Sequence, residues 1–321
     1  MSERANQKFA HVITDRFGVA TLKWWRWNTP HVLDKAIRAG TIMDYFVALV
    51  ARDGNIPISA HNAQSFGAWS EEEGWKIDDS LLPPVTADFP SFPVQHSSFP
   101  PNCVIIPAMG DHQCSVFAAG VPPKPNSLFF NFGTSAQMTI VATCRKRDVR
   151  ETGAVEIRPF YKPFGRLLTV ASLNGGNVID HFISLFNQSH ESILSEMENG
   201  SQEDAPVWKS VRLFPERGIG KSEKETSGVA IENFKSSHSP VNLIQSLSKG
   251  LVQNLFDLLH SAVDDKSVVQ NLECCFVGGG AAAYIRPHII AYAPNLREIK
   301  KIEANAAYGA ALFVQYLNSR S

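Results

Sequence analysis

With 321 residues, 44% of them hydrophobic and 19% charged, the chain can bury a large core and is long enough for two domains. A formal net charge of -1 leaves no electrostatic footprint for nucleic acid, and no stretch approaches the roughly 20 apolar residues of a bilayer helix. The opening, Met1-Ser-Glu-Arg-Ala-Asn-Gln7, is polar and lacks the apolar stretch of a secretion signal, so the expected setting is cytoplasmic, with no membrane partner.

Two helices are expected early, Val32 to Ala39 and Thr41 to Ala51, the second with Ile42, Tyr45, Phe46, Leu49 and Val50 at helical spacing. Trp24, Trp25 and Trp27 read as packing residues. Between Leu82 and Cys103 six prolines (83, 84, 90, 93, 100 and 101) rule out helix and central strand and leave an extended surface connection. The apolar run Val104-Ile-Ile-Pro-Ala-Met109 reads as a buried strand. It closes in Gly110-Asp111-His112-Gln113, ahead of a helix-like stretch from Cys114 to Gly120. Asp111 would then stand at the C-terminal end of a strand, where α/β proteins tend to place their chemistry. The same pattern suits a helix N-cap, whose carboxylate accepts from N–H groups two or three residues on.

From Asn126 the pattern turns to strands. Ser127 to Phe132 and Ala136 to Ala142, joined by Gly133-Thr134-Ser135, read as a hairpin whose glycine permits a tight turn. Arg166 to Leu173 reads as a further strand, leading through Asn174-Gly175-Gly176 into an amphipathic helix with Val178, Ile179, Phe182, Ile183 and Phe186. Residues 188 to 240 are polar, with one strand-like piece around Val211 to Phe214. The longest periodic signal runs from Val241 to Val263, where Ile244, Leu247, Leu251, Leu255 and Leu258 mark a core helix and Gly250 implies a close neighbour. Cys274 to Val277 reads as a strand ending in Gly278-Gly279-Gly280, with a helix opening at Ala281 and a final helix from Glu303 to Leu317.

Five cysteines, at 103, 114, 144, 274 and 275, show no metal or disulfide spacing and read as small buried hydrophobes in a reducing compartment. The ten histidines are scattered, so no metal held by protein ligands alone is expected. Gly278-Gly279-Gly280 lets backbone approach a ligand closely before a helix N-terminus, although it matches neither the Rossmann fingerprint nor a Walker loop. Gly133-Thr134-Ser135 offers N–H groups and hydroxyls to an anion. Each loop alone reads equally as a tight turn.

The order of motifs adds to this. Gly-Asp-His-Gln, Phe-Gly-Thr-Ser, Asn-Gly-Gly-Asn-Val-Ile-Asp, Val-Gly-Gly-Gly-Ala and Glu303-Ala-Asn-Ala-Ala-Tyr-Gly-Ala-Ala-Leu312, in that sequence, resemble the FGGY carbohydrate kinases over nearly the whole chain. The resemblance implies an α/β actin-like ATPase (ribonuclease H-like) fold. Residues 1–120 would be a remnant of the N-terminal, sugar-binding domain and 121–321 a complete C-terminal, nucleotide-binding domain. It implies phosphoryl transfer from ATP, with Mg²⁺, to a primary hydroxyl of a small sugar, so that the expected partners are ATP and that sugar. The segments Ala39-Gly-Thr-Ile-Met-Asp-Tyr45, His61 to Trp69, Ala171 to Asn177 and Lys249 to Asn254 narrow that sugar to a seven-carbon ketose.

By the same resemblance, Asp111 is the catalytic base that takes the proton of the sugar hydroxyl, and Gln113 beside it helps hold the sugar. Gly133, Thr134 and Ser135 form a phosphate loop, and Gly278, Gly279 and Gly280 the loop that backs the adenosine. The strand carrying Asp-x-Gly-Thr, with which the family begins, has no counterpart in the sequence. The resemblance therefore also implies an incomplete N-terminal domain. Its alternative reading is a catalytically impaired nucleotide-binding or interaction module.

Overall fold

The computed structural model describes residues 17–53, 55–120, 123–142, 149–151, 154–161, 165–199, 206–214, 228–265, 267–302 and 305–320. The chain divides into two units. The first holds residues 1–115, 158–166 and 306–321; the second holds 116–157 and 167–305.

The second unit is built on a six-stranded sheet in the order Glu298–Lys301, Cys274–Gly278, Ser127–Phe132, Ala136–Ala142, Arg166–Ser172, Val155–Pro159. Ser127–Phe132 runs parallel to Cys274–Gly278 and antiparallel to Ala136–Ala142, so the sheet is mixed. The Gly-Thr-Ser hairpin expected from the sequence is present. Five of the six residues of Ser127–Phe132 are buried, as suits a strand covered on both faces.

The long helix, Pro240–Ala262, packs its expected stripe of Ile244, Leu247, Leu251, Leu255 and Leu258 into the same core as Phe130, Met138, Leu168 and Val277. It starts with a reciprocal cap: the Asn242 N–H donates to Ser239 Oγ at 3.3 Å, and the Ser239 N–H donates to Asn242 Oδ1 at 3.0 Å. Pro240 takes the first turn, where no N–H is needed. Gly250 has the close neighbour its sequence position implied. A Cβ there would lie 2.9 Å from Val211 Cγ1 and 3.3 Å from Trp208 Cβ, in the strand Val207–Arg212. Trp208 Nε1 completes that contact by donating to Ser246 Oγ at 2.8 Å.

The first unit contains the helices Gly18–Asn28, Ile42–Ala51, Ala60–Phe66 and Ala306–Asn318, with strands only two residues long. Its buried apolar residues form small separate clusters: Val19 with Phe66 and Ala68, Ile58 with Ala60, Ala63 and Trp69, and Val47 with Ala51 and Ile56. Thr41 and Asp44 cap Ile42–Ala51 reciprocally, and the buried Asp44 carboxylate also accepts from Asn62 Nδ2 at 2.7 Å.

Several expectations are corrected. Val32 to Ala39 is not an α-helix: one 3₁₀ turn spans Pro30–Leu33, and the Ala39 N–H is spent on the Leu81 carbonyl, at 2.8 Å, rather than on a helical partner. Trp24, Trp25 and Trp27 are not packing residues. Their helix turns Val19 and Leu22 inward and leaves the tryptophans 54%, 39% and 77% exposed. The run Val104 to Met109 is strand only at Val104–Ile105, and Val104 is exposed, so it is no buried strand. The strand placed around Val211 to Phe214 is Val207–Arg212, paired with Gly228–Glu232, and the polar stretch before it includes the helix His190–Asn199. Cys114 and Cys275 are buried, while Cys103 and Cys274 are only half-buried; Cys144 and the expected start of the last helix at Glu303 lie outside the described residues.

Candidate functional site

In the second unit three glycine-bearing segments that follow strands of the one sheet come together. Ser127–Phe132 ends in Gly133-Thr134-Ser135, Arg166–Ser172 in Leu173 to Gly175, and Cys274–Gly278 in Gly279-Gly280. Backbone hydrogen bonds join them: the Ala281 N–H donates to the Phe132 carbonyl at 2.9 Å, the Gly176 N–H to Gly133 O at 2.8 Å and the Asn177 N–H to Thr134 O at 3.1 Å.

The glycines are what allow this approach. Gly279 has φ +95°, and a Cβ on it would strike the Phe132 backbone. A Cβ on Gly175 would strike Ser135 backbone, and one on Gly176 the Gly133 carbonyl. Gly133 and Gly280 differ, since a Cβ on either would meet nothing within 4 Å. Thr134, Ser135, Gly279 and Gly280 are all exposed. The result is a backbone cradle with open space beside two of its glycines and two exposed hydroxyl residues, suited to an anionic ligand.

The sequence-level site omitted the segment 174–177, which the structure places in this cradle. Its signal was present in the doubled glycine after a strand. Asn174 is 1% exposed and pairs by both ends of its amide with the backbone of Phe214: Nδ2 donates to Phe214 O and Oδ1 accepts the Phe214 N–H, each at 2.8 Å. Its own N–H donates to Ser172 Oγ at 3.0 Å, and the Gly175 N–H donates to Asn177 Oδ1 at 2.9 Å.

Asp111 and Gln113 belong to the first unit. Asp111 is the first residue of the helix Asp111–Ala119, exposed, with its Oδ1 accepting the His112 N–H at 2.8 Å. Gln113 is turned inward instead. It is buried, its Nε2 donates to the Pro159 carbonyl at 3.3 Å, and its Oε1 lies where a Cβ on Gly110 would stand. Burial, and then the Arg158 guanidinium, push the His112 imidazole down to about 3, so this ring is neutral at pH 7. Burial, and then the Asp111 carboxylate, push the Cys114 thiol up to about 11, which keeps it protonated and unreactive. Asp111 is the solvent-facing carboxylate of this turn.

Among the described residues no group of three or more His, Cys, Asp or Glu side chains could hold a metal ion, and no helix is long and apolar enough to cross a membrane.

No protein-family model matches the sequence. It is 26% identical to mouse sedoheptulokinase over 269 residues, covering 76% of this chain and 55% of that protein, and 24% identical to the human sedoheptulokinase over 270 residues. The chain therefore spans about half the length of the curated relatives it matches. Among solved structures it is similar to xylulose kinase from Rhodospirillum rubrum (TM-score 0.76, 15% identity, 99% of this chain and 67% of that one). It is also similar to Plasmodium falciparum glycerol kinase with ADP (TM-score 0.73, 15% identity, 97% and 65%). The chain has the actin-like fold of the FGGY-type sugar kinases and, in sequence, is a distant relative of the sedoheptulokinases.

Proposed function

We propose that the chain works in ATP-dependent phosphorylation of a sugar, with sedoheptulose as acceptor and sedoheptulose 7-phosphate as product. The observation that carries the reading is the cradle of 133–135, 174–177 and 279–281, knit by three backbone hydrogen bonds and left open beside Gly133 and Gly280. Gly133, Thr134 and Ser135 would face the phosphates, where N–H groups and hydroxyls neutralise charge. Gly278, Gly279 and Gly280 would back the adenosine. Asp111 would accept the proton of the attacking hydroxyl, and Gln113 would help hold the sugar. Phosphoryl transfer needs little covalent help from the protein beyond in-line positioning and charge neutralisation. Mg²⁺ keeps several waters and binds through phosphate oxygens and few carboxylates. Bound with ATP, Mg²⁺ would help neutralise the charge on the phosphates.

Two measurements on the purified chain test the reading. Fluorescent ATP analogue titration should give saturable binding competed by ADP, and a coupled ATPase assay across sedoheptulose, xylulose and glycerol should show the greatest turnover with sedoheptulose. Absence of nucleotide binding would overturn the cradle's assignment. Binding without sugar-dependent ATP consumption would restrict the chain to a nucleotide-binding module.

A further inference from the structure

Asn174 is a buried residue of the cradle, and no step of phosphoryl transfer requires it to touch a ligand. Its side chain is 1% exposed, and the two ends of its amide make the two bonds to Phe214 that a neighbouring strand would make, both at 2.8 Å. A neutral amide is the smallest side chain that donates and accepts in this paired way. Ser172 fastens the same residue from the other side, accepting the Asn174 N–H at 3.0 Å and donating to its carbonyl at 3.3 Å. The segment so fixed passes directly into Gly176 and Asn177, whose N–H groups hold the Gly133 and Thr134 carbonyls at 2.8 and 3.1 Å. Gly279–Ala281 has a hydrogen bond of its own, from the Ala281 N–H to Phe132 O.

We infer that Asn174 is a positioning residue for the 133–135 loop: by locking residues 173–177 to the Phe214 backbone, it sets the carbonyls of Gly133 and Thr134 and so orients the part of the loop that meets nucleotide phosphates. This rests on the proposed nucleotide cradle. Because the adenosine-side loop has its own anchor, loss of the lock weakens phosphate recognition selectively.

The test is isothermal titration of the full chain with ATP, ADP and adenosine, alongside thermal melting. Asn174→Ala should weaken ATP and ADP about tenfold, the scale of losing a buried hydrogen-bonded pair, and leave adenosine within about twofold. Ser172→Ala, a smaller change that keeps the Phe214 pair, should show the same selectivity at about threefold. Equal loss for all three ligands, or no loss for any, in a folded variant would overturn the positioning role while leaving the cradle assignment intact. If Asn174→Ala does not fold, the Ser172→Ala selectivity decides alone. Failure of the unmodified chain to bind ATP would instead overturn the cradle reading, and the inference with it.

Discussion

Gly279 and Gly280 are neighbours with opposite tolerances. At Gly279 a side chain meets both a φ of +95° and the Phe132 backbone, so Gly279→Ala should cost on the order of 2–3 kcal/mol in urea unfolding. At Gly280 there is room, so Gly280→Ala should leave stability within about 0.5 kcal/mol and instead lower ATP affinity, because it fills space left for the ligand. Equal stabilities for the two variants would contradict the cradle geometry. The buried histidines set a pH dependence. Burial pushes His61 down to about 3, and burial followed by the Lys249 ammonium pushes His288 down to about 4. Well above pH 6.5 neither state binds these protons, and the two histidines add no pH dependence. As pH falls below that, the unfolded imidazoles take up protons that the folded chain refuses. Stability then drops by about 1.4 kcal/mol per pH unit for each histidine until the folded pKa is reached. His288→Gln should flatten the slope between pH 6.5 and 5 by about one proton; an unchanged slope would exclude this cause.

At the scale of elements, Gly250 joins the long helix to the strand Val207–Arg212 at a distance that leaves no room for a large side chain. Gly250→Leu should therefore destabilise the chain by about 1–3 kcal/mol by overpacking against Val211 and Trp208, measured by urea unfolding. That contact was legible in the sequence because a glycine sits inside an otherwise strongly periodic core helix. The hairpin at Gly133-Thr134-Ser135 was legible for a similar reason, as two β-rich runs flanked one tight-turn glycine. Val32 to Ala39 failed because a helix-like run of eight residues says nothing about where the backbone N–H groups find partners, and that of Ala39 finds the Leu81 carbonyl. The Val104 run failed because apolar content was taken as burial, whereas only two residues pair and Val104 faces solvent. For the candidate site, the glycines were visible as types. The contribution of Asn174 was not, because its partner Phe214 lies 40 residues away.

At the scale of the whole molecule, the two units bury their apolar residues differently. The second has one continuous core, while the first leaves Ile42, Met43, Tyr45, Phe46 and Leu49 of one helix exposed beside an apolar cavity of about 490 Å³ lined by Met43, Phe46, Met109, Phe313 and Val314. Such surface drives self-association in water. Phe46→Lys with Leu49→Lys should reduce light scattering on heating, with the melting temperature changed by less than about 3 °C. The proposed reaction assigns the phosphates to the 133–135 loop and proton removal to Asp111. The most direct measurement of it is single-turnover phosphoryl transfer from ATP to sedoheptulose by the unmodified chain and by Asp111→Asn, with ATP affinity measured on both. Removing a general base should slow the chemical step about 10²–10⁴-fold and leave the ATP dissociation constant within about twofold. Transfer at an unchanged rate in Asp111→Asn would contradict the account.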